Sequence, residues 1–163
     1  MNQVLYIPTQ QQFLSFALSR EQWALLSTVQ LIEILQVDFS SITEIPGMPA
    51  AVMGVYPTAP ELLWVVDLAL LSGLNSRKIS RQYSILKVKS QWGNLGYIVE
   101  RVGNLITIES NTIKTISSSV TESSTTTALP NTWQQGVWNH PQGKTLPILN
   151  TDAIALGLRS SAL

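Results

Sequence analysis

Short runs that are apolar, or in which hydrophobic and polar residues alternate, recur along the whole chain, and both patterns are typical of β-strands. The runs cover residues 13–18, 23–26, 61–68, 83–89, 95–102, 105–108, 133–138 and 145–150. A polar turn separates the first two runs, which predicts a hairpin. Many short strands with turn signals between them predict a mainly-β fold built from barrels, because closing a small sheet removes its exposed edges.

The remaining segments are predicted as short helices and connections. Pro49 favours a helical turn that runs to Met53 and is ended by Gly54. Residues 69–74 form a short helix, and Thr151 with Asp152 caps a helix at the C-terminus. Three further segments are predicted as a loose lead-in, an amphipathic stretch that runs into a strand, and a Ser/Thr-rich surface loop: residues 1–12, 28–36 and 117–127. Residues 13–163 then form a single domain.

Three local signals refine the strand pattern. The run 61–68 is almost wholly apolar, which predicts that both of its faces are covered. Gly103 and Asn104 are predicted to separate the runs on either side of them. Pro147 cannot donate a backbone hydrogen bond, so its strand is predicted to lie at a sheet edge or to carry a bulge.

Composition excludes several classes of protein. The chain has 163 residues, of which 45% are hydrophobic and only 12% charged, so it is expected to bury much of its surface, partly against partners. Ten basic residues balance ten acidic ones, and this predicts no nucleic-acid binding. No apolar run approaches the ~18 residues that span a bilayer, and no secretory signal precedes the first strand. The absence of cysteine fits a cytoplasmic protein.

Catalytic and cofactor sites have little support in the sequence. Asp67 and Glu100 could form a carboxylate pair for acid–base chemistry, but capping and solvation are the favoured interpretation because the other catalytic groups are missing. His140 is the single histidine and lies in a turn, so it cannot join a multi-histidine metal site. No phosphate-binding loop is present. We therefore expect no enzyme activity, no metal and no cofactor.

The five tryptophans leave an alternative open. Aromatic side chains suit peptide or ligand recognition, so the chain could be a peptide- or ligand-binding β-barrel. Trp23, Trp64 and Trp92 lie in or beside apolar runs and are predicted to be core residues. Trp133 and Trp138 flank a glycine and are predicted to be partly exposed.

One stretch carries a resemblance to a known family. Pro46 and Pro49 precede an apolar run that ends at Gly54 and Val55. A proline-marked break and a strand that ends in Val-Asp-Leu at residues 66–68 follow. This order is similar to the first half of the CheW family, the adaptor domains of bacterial chemosensory arrays. Two later stretches, residues 96–102 and the hairpin 136–150, resemble the second half, so the likeness covers residues 13–158.

The resemblance implies a fold and a function. The fold would be two intertwined five-stranded β-barrels that share a hydrophobic core. The function would be a non-enzymatic adaptor, without cofactor or membrane insertion, between a chemoreceptor-type sensor and a CheA-type histidine kinase. Such adaptors serve chemotaxis, phototaxis or pilus-driven motility.

The resemblance also implies partner-binding residues. The regulatory domain of the kinase would contact Met53, Gly54 and Val55, and the cytoplasmic hairpin tip of the receptor would bind in the groove between the barrels. Gly54 either permits a close backbone approach or only ends a turn. Ala59 stands where family members carry an arginine. Either the receptor contact is rebuilt around this position or the protein serves a divergent system.

Overall fold

The computed structural model describes residues 8–58, 60–74, 80–115 and 129–161. These ranges contain eleven strands, two α-helices and three single-turn 3-10 helices. The strands are β1 (Gln10–Ala17), β2 (Trp23–Ser27), β3 (Leu31–Asp38), β4 (Val52–Thr58), β5 (Glu61–Asp67), β6 (Gln82–Ser90), β7 (Gly93–Val99), β8 (Arg101–Glu109), β9 (Lys114–Thr115), β10 (Gln134–Asn139) and β11 (Thr145–Leu149). The helices are α1 (Leu68–Leu71) and α2 (Thr151–Ser161).

The strands form two curled sheets, each of which takes strands from both halves of the chain. Sheet A has the order β8-β1-β2-β11-β10-β9, and sheet B has the order β3-β6-β7-β5-β4. Neighbouring strands are antiparallel except for β2 with β11 and β5 with β7, which are parallel. Two backbone hydrogen bonds between Thr43 and Val55 close sheet B beside β4. The mainly-β prediction is confirmed, and sheet A gains a sixth strand, the two-residue β9.

Three apolar clusters hold the sheets together, because successive residues of a strand point to opposite faces. The cluster enclosed by sheet A contains Phe13, Leu25, Ile108, Leu146 and Ile148. The cluster enclosed by sheet B contains Val37, Met53, Leu63, Val65, Tyr83, Ile85 and Ile98. The third, called the shared core, lies between the sheets and contains Leu14, Phe16, Leu18, Ala24, Leu26, Ala51, Val66, Leu68, Leu86, Val88, Tyr97, Val99, Leu129, Leu149 and Ile154. Three clusters in one chain account for its high hydrophobic fraction.

Several local predictions were wrong because packing overrides local signals. The turn predicted from Pro49 to Met53 is shorter than expected: the Val52 N–H donates to the Pro49 carbonyl at 2.9 Å, and strand β4 already begins at Val52 because it pairs with β5. The break between β7 and β8 falls at Glu100, and Gly103 lies inside β8 at a bulge opposite β1. A Cβ at Gly103 would contact the Ser15 hydroxyl and lie 2.7 Å from the Trp23 ring. This glycine therefore permits close strand packing.

The last elements also differ from the sequence-based expectation. Pro147 lies in β11, which is an interior strand between β2 and β10, and the bulge is in β10 instead. A single bridge, Ile148 to Leu25, joins β11 to β2, so little pairing is lost at the proline. Asn150 caps α2, because its side-chain oxygen accepts from the Ala153 N–H at 3.0 Å. The lead-in is shorter than predicted, since β1 begins at Gln10.

Two other local predictions agree with the structure, and one falls on residues that the structure does not describe. The β1–β2 hairpin is confirmed, and the short helix predicted at residues 69–74 is present as α1, which begins one residue earlier and ends at Leu71. The loop predicted at 117–127 lies outside the described residues. Within the ranges that are described, no helix is both long enough and apolar enough to cross a membrane.

Tyr97 supplies a test of the shared core. Its side chain is fully buried, and its hydroxyl has no hydrogen-bond partner among the described residues. Burial, and to a lesser extent the Asp152 carboxylate, raises the pKa of Tyr97 well above its usual range. We expect Tyr97→Phe to keep or raise the free energy of unfolding at pH 7, by up to about 1 kcal/mol, because it removes an unpaired polar group.

The pH dependence follows from the direction of this pKa shift. The unfolded tyrosine ionises near pH ~10 while the folded one stays neutral, so the wild type loses stability as pH rises above that value. The difference in the free energy of unfolding between Tyr97→Phe and the wild type should therefore increase above pH ~10. Urea unfolding at a series of pH values measures this difference. A loss of more than about 1 kcal/mol at neutral pH would mean that the hydroxyl has a partner.

Candidate protein-docking site

The residues around Gly54 are buried by a segment of the same chain. Met53 and Val55 are each only 7% exposed, and Gly54 is buried as well. Gly54 has a φ of 140°, and a Cβ there would lie 2.7 Å from the Thr43 carbonyl carbon and 3.0 Å from the Glu44 Cα. The close backbone approach therefore comes from residues 43–44, and Gly54 lies within a strand instead of ending a turn.

The structure places the predicted partner-binding residues as follows. Met53 packs into the cluster enclosed by sheet B, and Val55 pairs directly with Trp64 of β5. Ala59 lies outside the described residues. That these residues bind a partner stays a prediction. The buried ones can affect binding only through the residues that cover them, of which Thr43 and Glu44 are exposed.

An apolar groove lies beside this region, between β5 and α2. The β5–α2 groove has a volume of about 290 Å³ and is lined by Met48, Val52, Trp64, Val66, Trp92, Leu95, Ala155, Leu158 and Arg159. Leu62, Trp64 and Val66 alternate onto one face of β5, and their exposed fractions fall from 64% through 37% to 1%. Val66 belongs to the shared core. The groove is therefore the end of the shared core that opens to solvent.

Helix α2 forms the second wall of the groove and is fixed to sheet B. The Asp152 carboxylate accepts a hydrogen bond of 2.7 Å from the Gln91 N–H, in the turn between β6 and β7. Ile154 is buried in the shared core. At the open end of the wall, the Arg159 guanidinium lies 4.8 Å from the ring centroid of Trp92. The lining thus combines apolar surface with a single positive charge.

Two predictions about this region were wrong: that Trp64 and Trp92 are core residues, and that both faces of β5 are covered. Trp64 and Trp92 are 37% and 48% exposed, although both were predicted to be core residues. Leu62 is also exposed, so one face of β5 is not covered along its whole length. Trp133 and Trp138 are half-buried, which agrees with their prediction. The apolar run of β5 could not reveal this, because a buried strand and a docking strand have the same pattern.

Strand β3 presents a second apolar surface, which the sequence did not identify. Ile32 and Ile34 are each 44% exposed on this edge strand of sheet B, and Phe39, one residue beyond the strand, is 54% exposed. We call these three residues the β3 surface. Exposed apolar residues on an edge strand are a common feature of protein interfaces. The one available signal was the apolar pair Ile32 and Ile34 at alternate positions of an otherwise ambiguous segment.

The acidic and histidine candidates have structural partners. The Asp67 carboxylate caps α1 by accepting from the Leu70 N–H at 3.1 Å, so its capping role is confirmed. Asp67 and Glu100 line a cavity of about 100 Å³, and among the described residues that line it there is neither a histidine nor a lysine. His140 lies in the β10–β11 turn, where its Nδ1 accepts from the Gln142 N–H at 3.0 Å. No cluster of three or more metal-ligating residues occurs in the described part of the chain.

Two curled sheets around one shared core, with apolar surfaces at its margins, define a mainly-β domain of two interleaved sheets. The family model described as "CheW-like domain" matches residues 12–157, and the chain therefore belongs to the CheW-like domain family. Among solved structures, the scaffolding protein TtCheW from Thermoanaerobacter tengcongensis has a similar fold, with a TM-score of 0.73. The two are 22% identical over 87% of this chain and 90% of that chain. A search of curated proteins found no significant match.

Proposed function

We propose that this protein is a non-enzymatic cytoplasmic adaptor that couples a chemoreceptor-type sensor to a CheA-type histidine kinase. Membership of the CheW-like domain family supports this proposal, and the observation that carries it is the aromatic groove at the open end of the shared core. An adaptor needs two separate docking surfaces, and the chain offers the groove and the β3 surface.

The receptor tip would bind in the β5–α2 groove. Ala59 follows β4 in the sequence and offers no donor where family members carry an arginine. Among the described residues beside it, the Thr58 hydroxyl donates a hydrogen bond of 3.0 Å to the Glu61 carbonyl. The affinity must then come from other side chains, and Trp64 and Trp92 supply large exposed apolar area nearby. The receptor contact is rebuilt around these tryptophans, which suits a system for phototaxis or pilus-driven motility as well as chemotaxis.

The kinase regulatory domain would bind the β3 surface and the segment that covers Gly54. We expect Ile34→Asp to weaken kinase binding about tenfold or more, because the carboxylate would be desolvated against an apolar partner. Titration calorimetry with the isolated regulatory domain measures this effect. Leu105→Asp is the matched control, since Leu105 is 58% exposed on β8 of sheet A. Equal binding by Ile34→Asp and wild type would exclude the β3 surface.

The adaptor role itself is tested by a pull-down of this chain with the regulatory domain of each CheA-type kinase from the same genome. Saturable binding to one of them would support the role and identify the pathway. The exposed tryptophans also suit the alternative, a ligand-binding β-barrel unrelated to signalling. Failure of the folded protein to bind any of these kinases would favour that alternative.

A further inference from the structure

We infer that residues 44–50 form a strap that couples the β5–α2 groove to the cover of Gly54, so that filling the groove strengthens docking at the kinase surface. The inference rests on the proposed function for the identity of the two partners. It adds a route by which one docking surface affects the other.

The strap is anchored at both ends and is not hydrogen-bonded to the sheet between them. At its start, Thr43 and Val55 exchange two backbone hydrogen bonds of 2.8 and 2.9 Å. At its end, the Ala51 carbonyl accepts from the Asp67 N–H at 2.7 Å. Within the described part of the chain, residues 44–48 form no backbone hydrogen bond with another segment. Their position therefore depends on side-chain packing.

Met48 connects the strap to the groove. This side chain is half-buried and lines the groove opposite Leu158 of α2. The strap begins at Glu44, whose Cα would lie 3.0 Å from a Cβ at Gly54. One continuous segment thus contacts the groove and covers the glycine. An apolar occupant of the groove would bury Met48 further, which stabilises the docked position of the strap.

The backbone chemistry of the strap makes it stiff. Pro46 and Pro49 each fix their own φ angle. Gly47 follows Pro46 with a φ of 82°, and proline before a glycine of positive φ is typical of a type II turn. A displacement at Met48 is therefore carried along the strap to Glu44 and is not absorbed by free rotation between them.

Coupling requires two positions of the strap. In the docked position the bridge between Thr43 and Val55 is closed, and the exposed Thr43 and Glu44 form part of the kinase surface. In the lifted position the bridge is open and this part of the surface is lost. A groove occupant favours the docked position through Met48. By linkage, each partner then raises the affinity for the other by the same factor.

Amide hydrogen exchange of the full chain, measured by NMR, tests the strap without either partner. The bridge protects the N–H groups of Thr43 and Val55, so their exchange reports lifting of the strap. We expect Met48→Ala to speed their exchange about tenfold, because it removes the apolar contact in the groove. Met48→Leu should keep the wild-type rates, since it conserves the apolar volume.

Leu158→Ala is the matched control, because it removes an apolar side chain from the α2 wall of the same groove. It should leave the exchange of the Thr43 and Val55 N–H groups within about twofold of the wild type. Unchanged exchange in Met48→Ala, or an equal acceleration by Leu158→Ala, would overturn the inference.

Titration calorimetry measures the coupling between the two partners. The kinase regulatory domain should bind the wild type about fivefold more tightly when the receptor tip saturates the groove. The double variant Pro46→Gly and Pro49→Gly loosens the strap, so it should still bind each partner but lose most of this difference. A wild-type kinase affinity that is independent of the receptor tip would overturn the coupling. Failure of either partner to bind alone would count against the proposed function, and the exchange rates would still decide whether the strap connects the groove to Gly54.

Discussion

Gly54→Asp is expected to lower the free energy of unfolding by about 3 kcal/mol or more, enough to leave much of a marginally stable domain unfolded. The physical reason is twofold. Gly54 has a φ of 140°, which side-chain-bearing residues rarely adopt, and a Cβ there would overlap the backbone of Thr43. Thr43 also closes sheet B through its two hydrogen bonds with Val55, of 2.8 and 2.9 Å. Urea unfolding followed by circular dichroism measures the effect.

Gly143→Ala separates backbone strain from the steric overlap. Gly143 has a φ of 94°, but no atom lies within 4 Å of the position that its Cβ would take. This control should therefore cost only the backbone term, about 1 kcal/mol. If Gly54→Asp unfolded at the same urea concentration as the wild type, residues 43–44 could not cover Gly54 as described. Loss of kinase binding in Gly54→Asp alone would not place Gly54 in the interface, because unfolding explains it equally well.

Trp64→Ala is expected to weaken binding of the receptor tip by roughly thirtyfold or more, which corresponds to about 2 kcal/mol. Trp64 forms the middle of the groove wall and is paired with Val55 on one side and Leu95 on the other. Large aromatic residues at the centre of an interface contribute most of its binding energy. Calorimetric titration with the cytoplasmic hairpin tip of each receptor from the same genome measures the loss.

Leu105→Ala is the control for Trp64→Ala, since Leu105 is an exposed apolar residue on sheet A, outside the groove lining. We expect this control to bind the receptor tip with wild-type affinity. Trp64→Ala should still bind the kinase regulatory domain, because the β3 surface does not include Trp64. Wild-type receptor affinity in Trp64→Ala would contradict the assignment of the groove as the receptor site.

Much of the fold could be predicted because alternation within a strand is a local property. The hairpin of β1 with β2, the strands β6 and β11 and the capping by Asp67 all followed from neighbouring residues. Two of the errors share one cause, which is that a glycine signal has more than one structural meaning. Gly54 and Gly103 were both predicted to end an element, yet both lie inside strands where another backbone or side chain packs closely.

The candidate site was less predictable, because exposure depends on what covers a residue. Met53 and Val55 belong to a pattern that the family resemblance linked to binding, and both are buried by the chain itself. Trp64 belongs to a strand that looked fully buried, and it faces solvent because α2 leaves the end of the shared core open. The burial of Met53 and Val55 and the exposure of Trp64 both depend on distant segments, so neighbouring residues in the sequence do not reveal them.

The sequence by itself determined the mainly-β class, the approximate position of most strands, the scarcity of catalytic side chains and the resemblance to the CheW family. Only the tertiary structure decided the interleaved order of the strands, the burial of Gly54 and the pairing of Arg159 with Trp92. Side-chain alternation is set by the local geometry of a strand, whereas these features arise between residues that meet only when both sheets close around one core.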